Sequence, residues 1–344
     1  MALDGAAFSP KDFQLAIKAE STIGSAVVSS MQLVNVDSVE MPNFNLTQVM
    51  DIRSGSAGRG ADVSDVLIDE KGVTKEISFS GVFDTTVAPL LVQNCIGKAE
   101  SSDVTTIAKN YTPEELETGQ SSGIDKTITI AIIKPSTGSD HSIIFPGCTI
   151  TSLSISGDMA NESGRLRFSA TARTGYITSF TQSEPSSPSS YGSTYYSLAT
   201  LAGTAKKTIA GKEDCVIQSF SLNIENPSEY VGQNDANGNP EAIVRAVPDI
   251  SATLDATVKY DAQTAEIPTA MKAGTTVINN LANNSTLTSA TSFGFLASYG
   301  KVTNVAYNEA NAMMYDVSVK LFADKSVSSG DNGAMLAIRT WLFL

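Results

Sequence analysis

A chain of 344 residues with 42% hydrophobic and 17% charged residues can bury about 75% of its unfolded surface, normally as two cores. Its net charge of −13 argues against a protein that grips phosphate backbones, because such binding comes from Lys and Arg. No window reaches the ~18 uninterrupted apolar residues of a membrane helix. The three cysteines, Cys95, Cys148 and Cys215, are odd in number and lack CxxC spacing, so they read as buried small side chains and not as a disulfide or zinc framework.

In chain order, the N-terminal MALDGAAFSPKDF has acidic residues and no apolar core, so it does not read as a secretory signal and the protein is expected to be made in a cytoplasm. SVEMPNFNLTQV (Ser38 to Val49) reads as a strand that leads into the glycine-rich loop Asp51 to Asp62. EISFSGVF (Glu76 to Phe83) is the return strand, with Ile77, Phe79, Gly81 and Phe83 on one face. Asp84 then opens a short helix that contains Pro89 and stops at Gly97. TITIAI (Thr127 to Ile132), CTITSLSI (Cys148 to Ile155) and RLRFSATARTGY follow as strands. SFTQSEPSSPSSYGSTYYS (Ser179 to Ser197) has the composition of an extended crossing segment that is not packed.

The same order then returns. CVIQSFSLNIENP leads to a second polar loop, Gly232 to Ala242, and TLDATVKY (Thr253 to Tyr260) alternates Leu254, Ala256, Val258 and Tyr260. Asp261, 177 residues after Asp84, opens a second short helix that contains Pro268 and stops at Gly274. SFGFLA (Ser292 to Ala297) and KVTNVAY (Lys301 to Tyr307) are the expected counterparts of TITIAI and CTITSLSI, and YDVSVKLFAD is that of RLRFSATARTGY. Two deletions, one before Ser292 and one in the hairpin after it, reduce the offset. The chain thus reads as mainly β, with two tandem β-rich units each carrying a short flanking helix. The expected division is 1–178 for the first unit with its N-terminal arm, 179–213 for a Ser/Pro-rich linker and lead-in strand, and 214–344 for the second unit.

Signatures of catalysis, cofactor or metal binding are missing. The one histidine, His141, sits in the turn-like KPSTGSDHS, and a triad needs His, acid and nucleophile together. The glycines from Gly55 to Gly60 do not pass from a strand into a helix as a phosphate cradle would. DANGN (Asp235 to Asn239) lacks the later bidentate glutamate of a calcium loop and reads as turn chemistry. No enzyme and no cofactor are expected. What stands out is a set of polar faces opposite packed ones: Thr74, Glu76, Ser78 and Ser80 on the first return strand, and Ser251, Thr253, Asp255, Thr257 and Lys259 on the second. In the opening strand of the second unit, Val216, Phe220, Leu222 and Ile224 alternate with Ile217, Ser219, Ser221, Asn223 and Glu225. Such faces suit the lining of a wide water-filled barrel, although alternation alone is equally met by bulk solvent.

AESTIGSAVV, EISFSGVFDTTVAPLLVQNCIGK and PGCTITSLSISGDMANESGRLRFSATARTGY, in that order, resemble a bacteriophage tail tube protein. The stretch from Pro146 to Tyr176 carries the resemblance best. DCVIQSFSLNIENPSEYVG (Asp214 to Gly232) is similar to the start of the second half in the longer tube proteins of long-tailed phages, and the likeness spans Lys18 to Ala323. The resemblance implies tandem β-sandwich units whose hairpin strands join neighbours into a continuous inner barrel. Rings, of three chains where each chain has two units, would stack into a conduit through which DNA passes without specific binding. It also implies a place in the virion tail, assembly in a bacterial host cytoplasm, and tape measure, tail tip and tail terminator proteins as partners, with no membrane. The loops carrying Arg53, Arg59 and Asp62, and Asn234, Asp235 and Asn237, are then expected to order against the next ring. Other readings are a capsid decoration or surface-layer subunit, which would not require matching long loops, and a carbohydrate-binding β-sandwich, which would show clustered exposed Trp or Tyr. The single Trp341 lies instead in the terminal AIRTWLFL.

Overall fold

The computed structural model is dominated by one large antiparallel sheet. It describes residues 12–40, 42, 47–50, 66–69, 72–96, 108–111, 127–134, 142–181, 185–198, 206–232, 237–245, 249–282, 293–308, 313–323 and 338–341. The first half contains β1 (Gln14–Ala19), β2 (Gln32–Val34), β3 (Val36–Glu40), β4 (Thr47–Met50), β5 (Val66–Asp69), β6 (Lys75–Val82), α1 (Ala88–Ile96), β7 (Ala108–Tyr111), β8 (Ile128–Ile133), β9 (Ser142–Asp158), β10 (Arg167–Thr174) and β11 (Ser179–Thr181). The second contains β12 (Lys206–Thr208), β13 (Ile217–Glu225), β14 (Ser228–Val231), β15 (Ala242–Arg245), β16 (Ser251–Lys259), α2 (Ile267–Ala273), β17 (Thr276–Ala282), β18 (Phe293–Tyr307), β19 (Met314–Leu321) and β20 (Ile338–Trp341). The expectation of a mainly β chain with two short helices holds.

The pairing of the first half recurs in the second. β3, β6, β10, β9, β8 and β1 lie side by side, and so do β13, β16, β19, β18, β17 and β12. The irregularities recur too. One bulge falls between Val36 and Ser38 in β3 and another between Ile217 and Ser219 in β13. A second kind interrupts the β9/β10 ladder opposite Thr171/Ala172 and the β18/β19 ladder between Val302 and Asn304. The extra residue is a threonine in both: Thr151 Oγ1 donates to the Thr171 carbonyl at 3.2 Å, and Thr303 Oγ1 donates to the Ser318 carbonyl at 3.1 Å. A bulge re-aims its strand and increases local twist, so paired bulges at matching places bend both halves alike.

Each return strand passes into its helix through an aspartate. Asp84 Oδ1 accepts the N–H groups of Thr86 and Val87, both at 2.9 Å. Asp261 Oδ1 accepts those of Gln263 and Thr264, both at 3.0 Å. These bonds satisfy donors that the start of a helix leaves open. Pro89 and Pro268 fall in the first turns, where a missing N–H costs nothing. Gly274, at φ 60°, ends α2 in the left-handed conformation that glycine adopts without penalty.

Four expectations need correction. Ser292–Tyr307 was expected to hold two strands, but Phe293–Tyr307 is the single long β18, the counterpart of β9, and β17 takes the place of β8. Both long strands change partners midway, pairing β8 or β17 first and β10 or β19 later. The bulge in β13 reverses the faces before it: Ile217 is buried with Phe220, Leu222 and Ile224, while Val216 is 49% exposed. Ser179–Ser197 is not a free crossing segment. Ser186, Ser189, Thr194 and Tyr196 make backbone hydrogen bonds to Val28, Ser30, Met31, Leu33, Phe83, Thr85 and Leu166, laying this stretch along the first half. Finally, the buried side chains form one main cluster with residues of both halves, not two cores, because β13 pairs directly with β9. Phe83 meets Phe293 edge-on at 5.2 Å across that junction.

The hairpin β14–β15 belongs to the second half in sequence but packs on the first. The Tyr230 hydroxyl bonds to the carbonyls of Gly147 (3.1 Å) and Arg173, and burial pushes its pKa up. The guanidinium of half-buried Arg245 donates to the carbonyls of Ile150 at 2.9 Å and of Asn94 and Cys95 at 2.6 Å. Asn94 and Cys95 lie in the last turn of α1, where unsatisfied carbonyls and the helix dipole both favour a cation.

Candidate functional site

The twelve residues expected to line a lumen come from β6, from Thr74 just before it, and from β13 and β16. All twelve are half-buried or exposed, on the side of the sheet away from the core. Strand alternation puts them there, because the neighbours at odd spacing (Ile77, Phe79, Leu222, Ile224, Leu254 and Val258) are buried. The sheet brings them together with others that the sequence reading missed. One rung runs Ser38, Ser80, Ser169, Ser154, Asn223, Thr253 and Lys320 across successive strands. Ser152, Ser154 and Ser156, at every second position of CTITSLSISG, carried a readable signal, as did Asp316, Ser318 and Lys320 in YDVSVKL.

This face is held by hydrogen bonds between small polar side chains. Ser38 Oγ and Ser80 Oγ lie 2.8 Å apart, and Ser78 Oγ and Thr171 Oγ1 3.2 Å. Ser154 Oγ and Ser221 Oγ donate to Asn223 Oδ1 at 2.7 and 3.1 Å, and Asn223 Nδ2 donates to Asp255 Oδ2 at 3.3 Å. Thr257 Oγ1 donates to Asp316 Oδ1 at 2.7 Å. Cross-strand hydroxyl pairs of this kind each add a few tenths of a kcal/mol, up to about 1.

The arginines of the face have carboxylate partners, whereas Lys301 and Lys320 lie directly opposite each other. Arg173 Nε lies 3.9 Å from Glu76, and Arg167 pairs with Asp37 and Glu162. The Arg167 hydrogen bond holds the Glu162 carboxyl below the usual glutamate range. Lys259 contributes to holding Asp261 below the usual aspartate range, after the larger effect of backbone N–H groups. The arginines and Lys259 thus have carboxylates near them, and the like-charged pair Lys301–Lys320 is confined to β18 and β19, so cations do not run along the whole array as a track that would collect phosphates.

Of the loop residues, Asn237 is described and exposed; Arg53, Arg59, Asp62, Asn234 and Asp235 lie outside the described residues, as does His141. Asn237 is close to an anchor: Asn239 Oδ1 accepts the Ile177 N–H at 3.1 Å, fixing that side of the loop to the first half. Among the described residues no three His, Cys, Asp or Glu side chains gather as a metal cage requires, and no helix is long and apolar enough to cross a membrane. Cys95, Cys148 and Cys215 are free and buried, and burial raises the pKa of each, that of Cys95 to about 12.

No curated protein matches this chain. Residues 11–321 match the family described as phage tail tube protein, a span that takes in the repeated strand set, the polar face and both helices. The chain therefore belongs to the phage tail tube protein family and is a structural component of the virion tail.

Proposed function

We propose that this protein polymerises into stacked rings that form the tube of a long phage tail, the conduit for DNA ejection. Each chain supplies two tube units, 1–178 and 214–344, joined by 179–213, so that three chains make one ring with approximate six-fold symmetry. The observation that carries this reading is the recurrence of the six-strand pairing with its bulges, because two alike units in one chain halve the number of chains a ring needs. The eight strands from β18 to β3 form one continuous array with a polar face. Three such arrays suit a closed barrel of about 24 strands, wide enough to leave an aqueous channel.

In that assembly Thr74, Glu76, Ser78, Ser80, Ser219, Ser221, Asn223, Ser251, Thr253, Asp255, Thr257 and Lys259 line the lumen. Their mixed charge lets DNA slide, because strong phosphate neutralisation would hold it in place. Water and counter-ions fill the gap, and fixed charges act over only ~8 Å at physiological ionic strength. The loops around Arg53, Arg59 and Asp62, and Asn234, Asp235 and Asn237, meet the next ring. Tape measure, tail tip and tail terminator proteins complete the tail, which assembles in the bacterial host cytoplasm. Sedimentation with negative-stain microscopy of the purified protein tests the reading. Rings or hollow polymers formed unaided support it. A protein that stays monomeric over a wide concentration range and binds a carbohydrate or a capsid surface contradicts it.

A further inference from the structure

At the end of the sheet formed by β18 and β19, Tyr307 and Tyr315 lie directly opposite each other. The next pair along the ladder is joined by a hydrogen bond, from the Asn308 N–H to the Met314 carbonyl at 3.1 Å. Tyr307 and Tyr315 are therefore a non-hydrogen-bonded pair, the kind that holds its Cα atoms about 4.5 Å apart and its side chains closest. Their ring centroids are 4.8 Å apart at an interplanar angle of 53°, close to the lower limit of about 4.5 Å for aromatic pairs. The Tyr315 hydroxyl donates to the Tyr307 hydroxyl at 3.3 Å. The two phenols thus lie side by side, with the ring carbons that flank each hydroxyl brought together.

The repeat shows that the fold itself does not require these hydroxyls. Counted from the matching bulges, the corresponding pair in β9 and β10 is Ile155 with Phe168, both buried and both without a polar side-chain atom. In the second half Tyr315 is 3% exposed, but Tyr307 is 68% exposed and open to reagents in solvent. Tyr260 completes the cluster without lying beside either ring: it stands edge-on to Tyr315 at 5.0 Å and 79°, and 6.1 Å from Tyr307. The buried pair Tyr176 and Tyr230 is also edge-on, at 6.4 Å and 83°. Close side-by-side phenols and solvent access coincide at Tyr307 and Tyr315.

We propose that Tyr307 and Tyr315 form an oxidative cross-linking site, at which a one-electron oxidant of the peroxidase class, supplied with hydrogen peroxide, joins the two rings within one chain. Each phenol gives up one electron and its hydroxyl proton. The two phenoxyl radicals then couple through a carbon next to each oxygen, forming one carbon–carbon bond. Each coupled carbon passes its hydrogen to its own oxygen, which restores both phenols. Hydrogen peroxide takes up the two electrons and two protons and leaves as two water molecules. The product ties the end of β18 to the start of β19. Because both tyrosines belong to one chain, the inference does not depend on the ring reading.

Peroxidase and hydrogen peroxide applied to the dilute, unpolymerised protein test the proposal. Trypsin leaves both tyrosines in one peptide, Val302 to Lys320, because no Lys or Arg lies between Lys301 and Lys320. That peptide should lose two hydrogen atoms in mass and gain dityrosine fluorescence, and its two parts should stay joined after a further cut at Glu309. Tyr307→Phe and Tyr315→Phe should each reduce the product to background, whereas Tyr260→Phe should leave it unchanged. Tyr307 is exposed, so its phenylalanine variant keeps the fold, which circular dichroism checks. Met313, 64% exposed, competes for the oxidant by forming its sulfoxide. Sulfoxide with no loss of hydrogen from the peptide would overturn the proposal. So would coupling found only between chains, coupling that survives Tyr307→Phe, or coupling abolished by Tyr260→Phe.

Discussion

Arg245→Met keeps the aliphatic stem of a half-buried arginine and removes a guanidinium that donates to three carbonyls. A hydrogen bond from a charged donor contributes about 1.5–3 kcal/mol, so three would lose about 6 kcal/mol. Relief of the buried charge returns several kcal/mol of desolvation. The Cys95 carbonyl also keeps the Asn226 Nδ2 donor at 2.8 Å. A net loss of about 2–4 kcal/mol remains, concentrated where the β14–β15 hairpin of the second half holds the end of α1 in the first. Urea unfolding of the unpolymerised protein measures it. With a slope of about 3 kcal/mol/M, the midpoint should fall by about 1 M at unchanged slope. Arg245→Lys should fall between the two, since an ammonium keeps the charge near the helix end but cannot reproduce the planar fork. A midpoint within about 0.2 M of the parent for Arg245→Met would refute this account of how the halves are joined.

Thr151→Val and Thr303→Val remove corresponding bulge hydroxyls and should each cost about 1 kcal/mol in the same unfolding assay; a loss in one half alone would count against the equivalence of the two bulges. Asp261→Ala should cost about 1 kcal/mol at neutral pH through the lost cap. Because Asp261 titrates below its unfolded value, its contribution is complete above about pH 4 and disappears as the pH falls through the lower folded pKa. The gap between parent and Asp261→Ala should therefore narrow on acidification, and a gap that widens would contradict the assignment. Glu76→Lys with Asp255→Lys should still polymerise but slow genome ejection in a low-salt assay; unchanged ejection from intact tubes would leave these residues as ordinary solvated surface.

Much of the fold was legible because alternation and punctuation are local. Ile77, Phe79 and Phe83, and Leu254 and Val258, announced buried faces. Asp84 and Asp261, each followed by a proline and a glycine, announced the two helices. What failed has a physical cause in each instance. A bulge shifts the alternation by one residue without changing composition, so Val216 and Ile217 exchanged faces at Gln218. The partner change within β18 left its sequence looking like two strands, since Ser298–Gly300 breaks the apolar run while the backbone stays extended. Ser179–Ser197 owes its packing to backbone hydrogen bonds, which composition does not report. On the candidate lumen face, the return strands were readable from their own alternation. Which strands stand beside them, and so the serines of β9 and β10, depended on sheet order, which pattern within one strand does not encode.

The central claim is that one chain supplies two equivalent tube units. A side-chain-resolution reconstruction of polymerised protein measures this most directly. The account requires three chains per ring and both halves of each chain in the inner wall. Six chains per ring, or one half of the chain lying outside the wall, would contradict it.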